Sequence, residues 1–167
     1  MRLFVAAVPQ YMALDALEEA RDGIKEQCPA CRFTPRENMH LTLAFIGEAG
    51  PKLVEEAKKA MDSLDLESFT ARVQGSGRFG DTAVAFMKKD RKLAELRKAV
   101  VDALDEFGVP YDRKPFTPHI TLARKVPPDV TRPSVDTEFE INRVLLMNSR
   151  RVDGKLTYTP IYEKSLD

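Results

Sequence analysis

The chain has 167 residues, of which 43% are hydrophobic and 31% charged, and its 26 basic side chains balance 26 acidic ones. That composition fills a core and solvates a surface, which excludes wholesale disorder, collagen-like repeats and a long coiled coil. Zero formal net charge also excludes a protein that coats nucleic acid through bulk charge, and leaves a local basic cleft as the route to a polyanion. The opening MRLFVAAV carries too short an apolar run before Pro9 for a secretory leader, and no segment approaches the roughly 18 consecutive apolar residues of a membrane span. The expectation is one cytoplasmic domain over 1–167, a monomer with no membrane partner.

Arg2–Val8 reads as a buried strand ended by Pro9. Leu14, Leu17 and Ile24 recur at helical spacing among charges, which predicts a helix over about 12–27 stopped by Pro29. Arg32–Asn38 is a short extended or turn segment, and His40–Ile46 is a strand closed by Gly47. Gly50-Pro51 starts a second helix whose buried face is Leu53, Val54, Ala57, Met61 and Leu64. Ser68–Gln74, a Gly75-Ser76-Gly77 turn and Thr82–Met87 read as a hairpin. Asp90 caps a third helix with Leu93, Leu96, Val100, Leu104 and Phe107 on one face, ended by Gly108 and Pro110. His119–Ala123 is a further strand, and Val135–Tyr162 holds two or three more, including a hairpin through Asp153-Gly154.

One pattern repeats. The two histidines of the chain open nearly identical pentapeptides, His40-Leu41-Thr42-Leu43-Ala44 and His119-Ile120-Thr121-Leu122-Ala123, and each follows an amphipathic helix. In a strand, residues i and i+2 share a face, so His40 lies with Thr42 and His119 with Thr121, while Leu41, Leu43 and Phe45, like Ile120 and Leu122, take the core side. Two imidazoles and two hydroxyls displayed this way suit a tetrahedral phosphate. A neutral imidazole takes a proton from water, a protonated one gives a proton to a leaving oxygen, and the threonine hydroxyls bond the non-bridging oxygens. Two histidines without a third neighbouring ligand make a poor metal set, so neither metal nor cofactor is expected.

The strings HLTLAFIG and FTPHITLAR, with the opening RLFVAAV strand and the C-terminal YTPIY, resemble the two-histidine (2H) phosphoesterase superfamily and, within it, the LigT-like RNA 2′,3′-cyclic phosphodiesterases of the 2′-5′ RNA ligase family. The resemblance covers nearly the whole chain. It implies a duplicated, bilobal α+β fold, with two antiparallel sheets facing a central cleft and helices outside. It implies metal-independent hydrolysis of RNA 2′,3′-cyclic phosphate ends to 2′-phosphomonoesters, with 2′-5′ ligation as the reverse. By the same resemblance His40 is the proton donor, His119 the acceptor, Thr42 and Thr121 hold the phosphate, and Arg124 and Phe45 contact substrate. Strict alternation puts Arg124 and Phe45 on the core side, so a bulge, a twist or a reach around the strand end is needed at Arg124.

Residues 111–125 and 141–155 each carry a net +3 and the first helix a net −3, which fits a basic cleft mouth and an acidic back. Cys28 and Cys31, in Cys-Pro-Ala-Cys, read as two reduced thiols at a helix end rather than a redox pair or half a zinc site. Two other readings stand beside the RNA enzyme. One is a phosphodiesterase of a small nucleotide such as ADP-ribose 1″,2″-cyclic phosphate or a 2′-5′ oligoadenylate. The other is a binding module for RNA or nucleotide ends, which four intact His and Thr positions disfavour.

Overall fold

The computed structural model describes residues 1–167. In chain order the elements are β1 (Arg2–Ala7), α1 (Tyr11–Gln27), β2 (Arg32–Phe33), a 3-10 turn (Arg36–Asn38), β3 (Leu41–Glu48), α2 (Pro51–Asp62), β4 (Phe69–Phe79), β5 (Thr82–Met87), α3 (Arg91–Glu106), β6 (His119–Arg124), β7 (Asp136–Ile141), β8 (Arg143–Val152) and β9 (Lys155–Ser165). The helices form where apolar periodicity places them. Pro51 opens α2, whose buried face holds Val54, Ala57, Ala60 and Met61. The Asp90 carboxylate accepts the Lys92 amide of α3 at 3.1 Å, and Gly108 takes a left-handed φ of 71° just past that helix. Asp153 and Gly154, both at positive φ, turn β8 into β9.

The fold is α+β, with the strands in the order β7-β4-β5-β6-β3-β1-β8-β9 and β2 added beside β6. Every ladder is antiparallel. Two lobes are evident in the pairing. β3, β1, β8 and β9 form one, packed against α2 and α3; β7, β4, β5, β6 and β2 form the other, packed against α1. A single residue pair, Leu41 with Ile120, joins them into one continuous sheet. The lobes interleave in the chain, since β1 and β3 share a lobe with the C-terminal β8 and β9, through the pairing of β1 with β8, while α1 packs on the opposite lobe.

One face of the sheet, with the helices, encloses the main core, which includes Leu3, Val5, Leu41, Leu43, Ile120, Leu122 and Leu146. The other face of the first lobe carries a smaller apolar group of Phe4, Ala6, Leu145 and Met147, with Phe45 and Tyr158 packed on it.

Two expectations change. The Gly75-Ser76-Gly77 segment is no turn: β4 runs through it to Phe79, and the reversal lies at Gly80 and Asp81. Gly75, at φ 85°, sits where the β4–β5 register slips by one residue, and a Cβ on Gly77 would lie 2.5 Å from Cε2 of Phe86. The second change concerns Phe45, which alternation assigns to the core. β3 slips by one residue against β1 at Leu43, so Leu43 and Ala44 are both buried and Phe45 emerges on the opposite face, directly across from Phe4.

Candidate active site

The same bulge occurs at the equivalent place in β6. There the register against β5 slips at Leu122, Leu122 and Ala123 are both buried, and Arg124 returns to the face of His119 and Thr121. Both motifs thus share one geometry: histidine and threonine alternate, an inserted leucine resets the phase, and the residue five after the histidine faces outward again. That residue is Phe45 in one lobe and Arg124 in the other.

The carbonyl of each bulged leucine has a donor outside the strand against which the register slips. In β6 the Leu122 carbonyl accepts the Thr34 backbone amide at 3.0 Å. In β3 the Leu43 carbonyl accepts Nη1 of Arg97, whose guanidinium lies 5.0 Å from the Phe116 ring centroid and 5.6 Å from that of Tyr111. Burial pushes the Arg97 pKa below its ordinary value. The Asp112 amide then takes the Phe45 carbonyl at 2.8 Å.

The pairing of Leu41 with Ile120 sends both side chains into the core, each fully buried, and sets the flanking residues against one another. By that register His40 lies across from Thr121, and Thr42 across from His119, on the face away from the helices. The four motif side chains therefore meet where the lobes join.

The two imidazoles are anchored alike. His40 Nδ1 lies 2.7 Å from the Asn38 carbonyl, and His119 Nδ1 lies 2.7 Å from the Thr117 carbonyl. A carbonyl only accepts, so each Nδ1 carries a hydrogen and each Nε2 is left for exchange of a proton. Their surroundings differ. His40 Nε2 lies 2.9 Å from the Thr42 hydroxyl, and the ring is packed 5.0 Å from both Phe4 and Tyr158. Burial pushes the His40 pKa below its ordinary value, opposed by the bond to Asn38 and reinforced by the charges of His119 and Arg124. His119 is flanked by Phe79 at 4.9 Å, which in turn stands edge-on to Phe86, the cross-strand partner of His119.

Sequence reasoning missed these aromatic walls. Phe4 and Phe86 sit at alternating positions on strands, a signal that one sequence offers, but their meeting with the histidines depends on strand order. Asn38, the one buried polar side chain, also escaped notice; its amide donates to the Leu156 carbonyl at 2.9 Å while its own carbonyl takes His40.

The basic stretches divide. Arg113 and Lys114 are paired with Asp105 and Asp112, and Arg143 with Glu163, whereas Arg124, Arg150, Arg151 and Lys155 are exposed and make no ion pair. A surface depression of about 510 Å³ lined by Asp15, Glu18, Glu19, Asp22 and Glu26 marks the acidic back on α1. Cys28 and Cys31 are free thiols, and burial, then the Cys28 side chain, pushes the Cys31 thiol up to about 11. No helix is long and apolar enough to cross a membrane.

Comparison with known proteins bears on the family and the fold. An RNA 2′,3′-cyclic phosphodiesterase of Thermus thermophilus is 33% identical over 99% of this chain and 90% of its own length. One from Geobacillus stearothermophilus is 29% identical over 96% of this chain, which spans only 54% of that relative. The crystal structure of Escherichia coli LigT in apo form superposes with a TM-score of 0.86 at 26% identity, covering 99% of this chain and 96% of that one. The family model of the 2′-5′ RNA ligase superfamily matches residues 9–153, and the chain belongs to that superfamily.

Proposed function

We propose that this protein hydrolyses the 2′,3′-cyclic phosphate at RNA ends to a 2′-phosphomonoester by histidine acid–base catalysis without a metal, and that, with a 5′-hydroxyl end in place of water, it joins ends by 2′-5′ ligation, the reverse of 2′-5′ cleavage. The observation that carries the reading is the pair of imidazoles from adjacent strands. Each is fixed through Nδ1 to the carbonyl two residues earlier, with Nε2 left for proton exchange. The names of the relatives support the substrate class.

His119 Nε2 accepts a proton from water as its oxygen attacks phosphorus, the P–O3′ bond breaks, and His40 Nε2–H delivers a proton to the departing O3′. Thr42 and Thr121 donate to the non-bridging oxygens, and Arg124 adds positive charge on the same face. Phe45 offers an aromatic surface to a base, with the Arg2 guanidinium 5.0 Å from its ring centroid. Burial biases His40 toward its neutral form in the free protein, so the arriving phosphate anion must restore its proton. Residues 1–167 act here as one bilobal unit.

The test is turnover of an RNA oligomer with a 2′,3′-cyclic phosphate end in EDTA, with products mapped by mass and NMR. A 2′-phosphate product at undiminished rate is expected. A 3′-phosphate product, or activity lost to EDTA and restored by one divalent ion, would refute the scheme.

A further inference from the structure

β8 and β9 run on past the rest of their sheet. β1 pairs with β8 only from Leu145 to Asn148, whereas β8 and β9 stay paired with each other as far as the turn at Asp153 and Gly154. Residues 149–159 therefore form a two-stranded arm. Its far end is latched beside the first motif: the buried Asn38 side chain donates to the Leu156 carbonyl at 2.9 Å, and the Tyr158 ring stands 5.0 Å from that of His40.

The register gives the arm its faces. Ser149 pairs with Tyr158 and Arg151 with Leu156. Directly opposed residues share a face and alternate residues repeat it, so Arg151 and Leu156 lie on the face of Tyr158, the one turned to His40. Arg150 and Lys155 lie on the opposite face. All three cations are exposed and in no ion pair, whereas Arg143 and Lys164, farther along the same strands, are paired with Glu163 and Asp62. Arg151 Nη1 reaches only the Gly154 carbonyl, at 3.3 Å. Leu156 beside it is 41% exposed. Cations next to an open apolar surface suit a single nucleic-acid strand, whose phosphates and base faces need both.

These cations stand beyond the reacting phosphate. The charges that act on His40 are those of His119 and Arg124, and that of Arg124 alone acts on Tyr158. From Tyr158 to Leu156 the arm runs outward by about 6–7 Å, at roughly 3.3 Å per residue. The direction of the reaction selects which part of the substrate arrives there. Attacking and departing oxygens lie in line at phosphorus, with water beside His119 and O3′ beside His40. The terminal ribose is therefore on the His40 side, and the strand that continues from its 5′ carbon starts from that side.

We infer that the β8–β9 arm is the track for the RNA strand that carries the cyclic phosphate. Arg151 binds an internal phosphodiester on the 5′ side of the reacting nucleotide, Leu156 packs against the sugar and base beside it, and Arg150 and Lys155 add attraction from the other face. The inference rests on the proposed function and narrows its substrate to an RNA end longer than one nucleotide.

The experiment compares kcat/KM for a nucleoside 2′,3′-cyclic phosphate with that for a trinucleotide bearing two internal phosphodiesters and the same cyclic end, at several salt concentrations. Wild type prefers the trinucleotide. In Arg151→Gln the trinucleotide-to-mononucleotide ratio falls about 10-fold, the size of one charge-assisted contact at an exposed site, with mononucleotide turnover and Tm unchanged. In the triple variant Arg150→Gln/Arg151→Gln/Lys155→Gln the salt slope for the trinucleotide shrinks by about 2, or about 0.7 for each charge removed. An unchanged ratio in both variants would overturn the track and leave the proposed function standing; the arm's charges would then only guard an open strand edge. An equal loss on both substrates would also overturn it, because the arm would then act on His40 through Asn38 rather than on the strand. A wild type inert toward both substrates would overturn the proposed function and the track with it.

Discussion

Replacing Arg97 by methionine removes the donor that satisfies the β3 bulge while retaining an apolar stem of similar length. A hydrogen bond from a charged donor contributes about 1.5–3 kcal/mol, and each guanidinium–ring contact with Phe116 and Tyr111 about 0.5–1 kcal/mol at a partly exposed position. These contributions share one side chain and do not simply add, so the expected cost is about 2–4 kcal/mol, a large part of a typical domain's stability. Urea unfolding should show a lower midpoint with an unchanged slope, because the folded surface is preserved. Activity should fall as well, since the Leu43 bulge is what turns Phe45 toward Phe4 and sets the strand carrying Thr42. Arg97→Lys should recover only part of the loss, an ammonium being unable to lie flat between two rings while donating. Wild-type stability and activity in Arg97→Met would show that the Leu43 carbonyl has another partner, and the account of the bulge would be wrong.

Gly77→Ala puts a Cβ against the Phe86 ring and should cost about 1–3 kcal/mol, read as a Tm shift, with reduced turnover because Phe86 lies across from His119. By NMR titration the free protein should show a His40 pKa below its ordinary value of 6.5, rising when a 2′-phosphomonoester is added. The sign for stability follows: a depressed folded pKa costs nothing above the ordinary value and destabilises as pH falls from there through the folded value, so His40→Phe should be less acid-sensitive than wild type. Thr42→Val and Thr121→Val should each lower kcat/KM on the order of 10- to 10³-fold, and full activity in both would make the hydroxyls structural.

The helices were legible because each carries its own signals: the apolar period, Pro51 at the start of α2, and Asp90 and Gly108 at the two ends of α3. The site was legible because both histidines fall in one repeated pentapeptide with a threonine on the same face. The bulges were not, and neither was the outward turn of Phe45. The string HLTLAF alternates as well as any regular strand, and the slip at Leu43 is visible only through the partner strand, with Arg97, 54 residues away, donating to the Leu43 carbonyl. For Arg124 the conflict between alternation and resemblance did point to a bulge, and the register of β6 contains it. Gly75-Ser76-Gly77 has the composition of a turn, yet its glycines serve a register slip and the space under Phe86, neither of which is local. The aromatic packing around His40 joins β1, β3 and β9, whose adjacency depends on the sheet order.

The proton-transfer roles are tested most directly with an RNA whose 3′ leaving atom is sulfur, a group that departs with little protonation. On the normal substrate His40→Ala and His119→Ala should each lose about 10²- to 10⁴-fold in kcat/KM with the fold intact by circular dichroism. On the sulfur substrate His40→Ala should recover most of its loss and His119→Ala should not. Equal rescue of the two variants, or full turnover by either one on the normal substrate, would contradict the assignment of His40 as donor and His119 as acceptor.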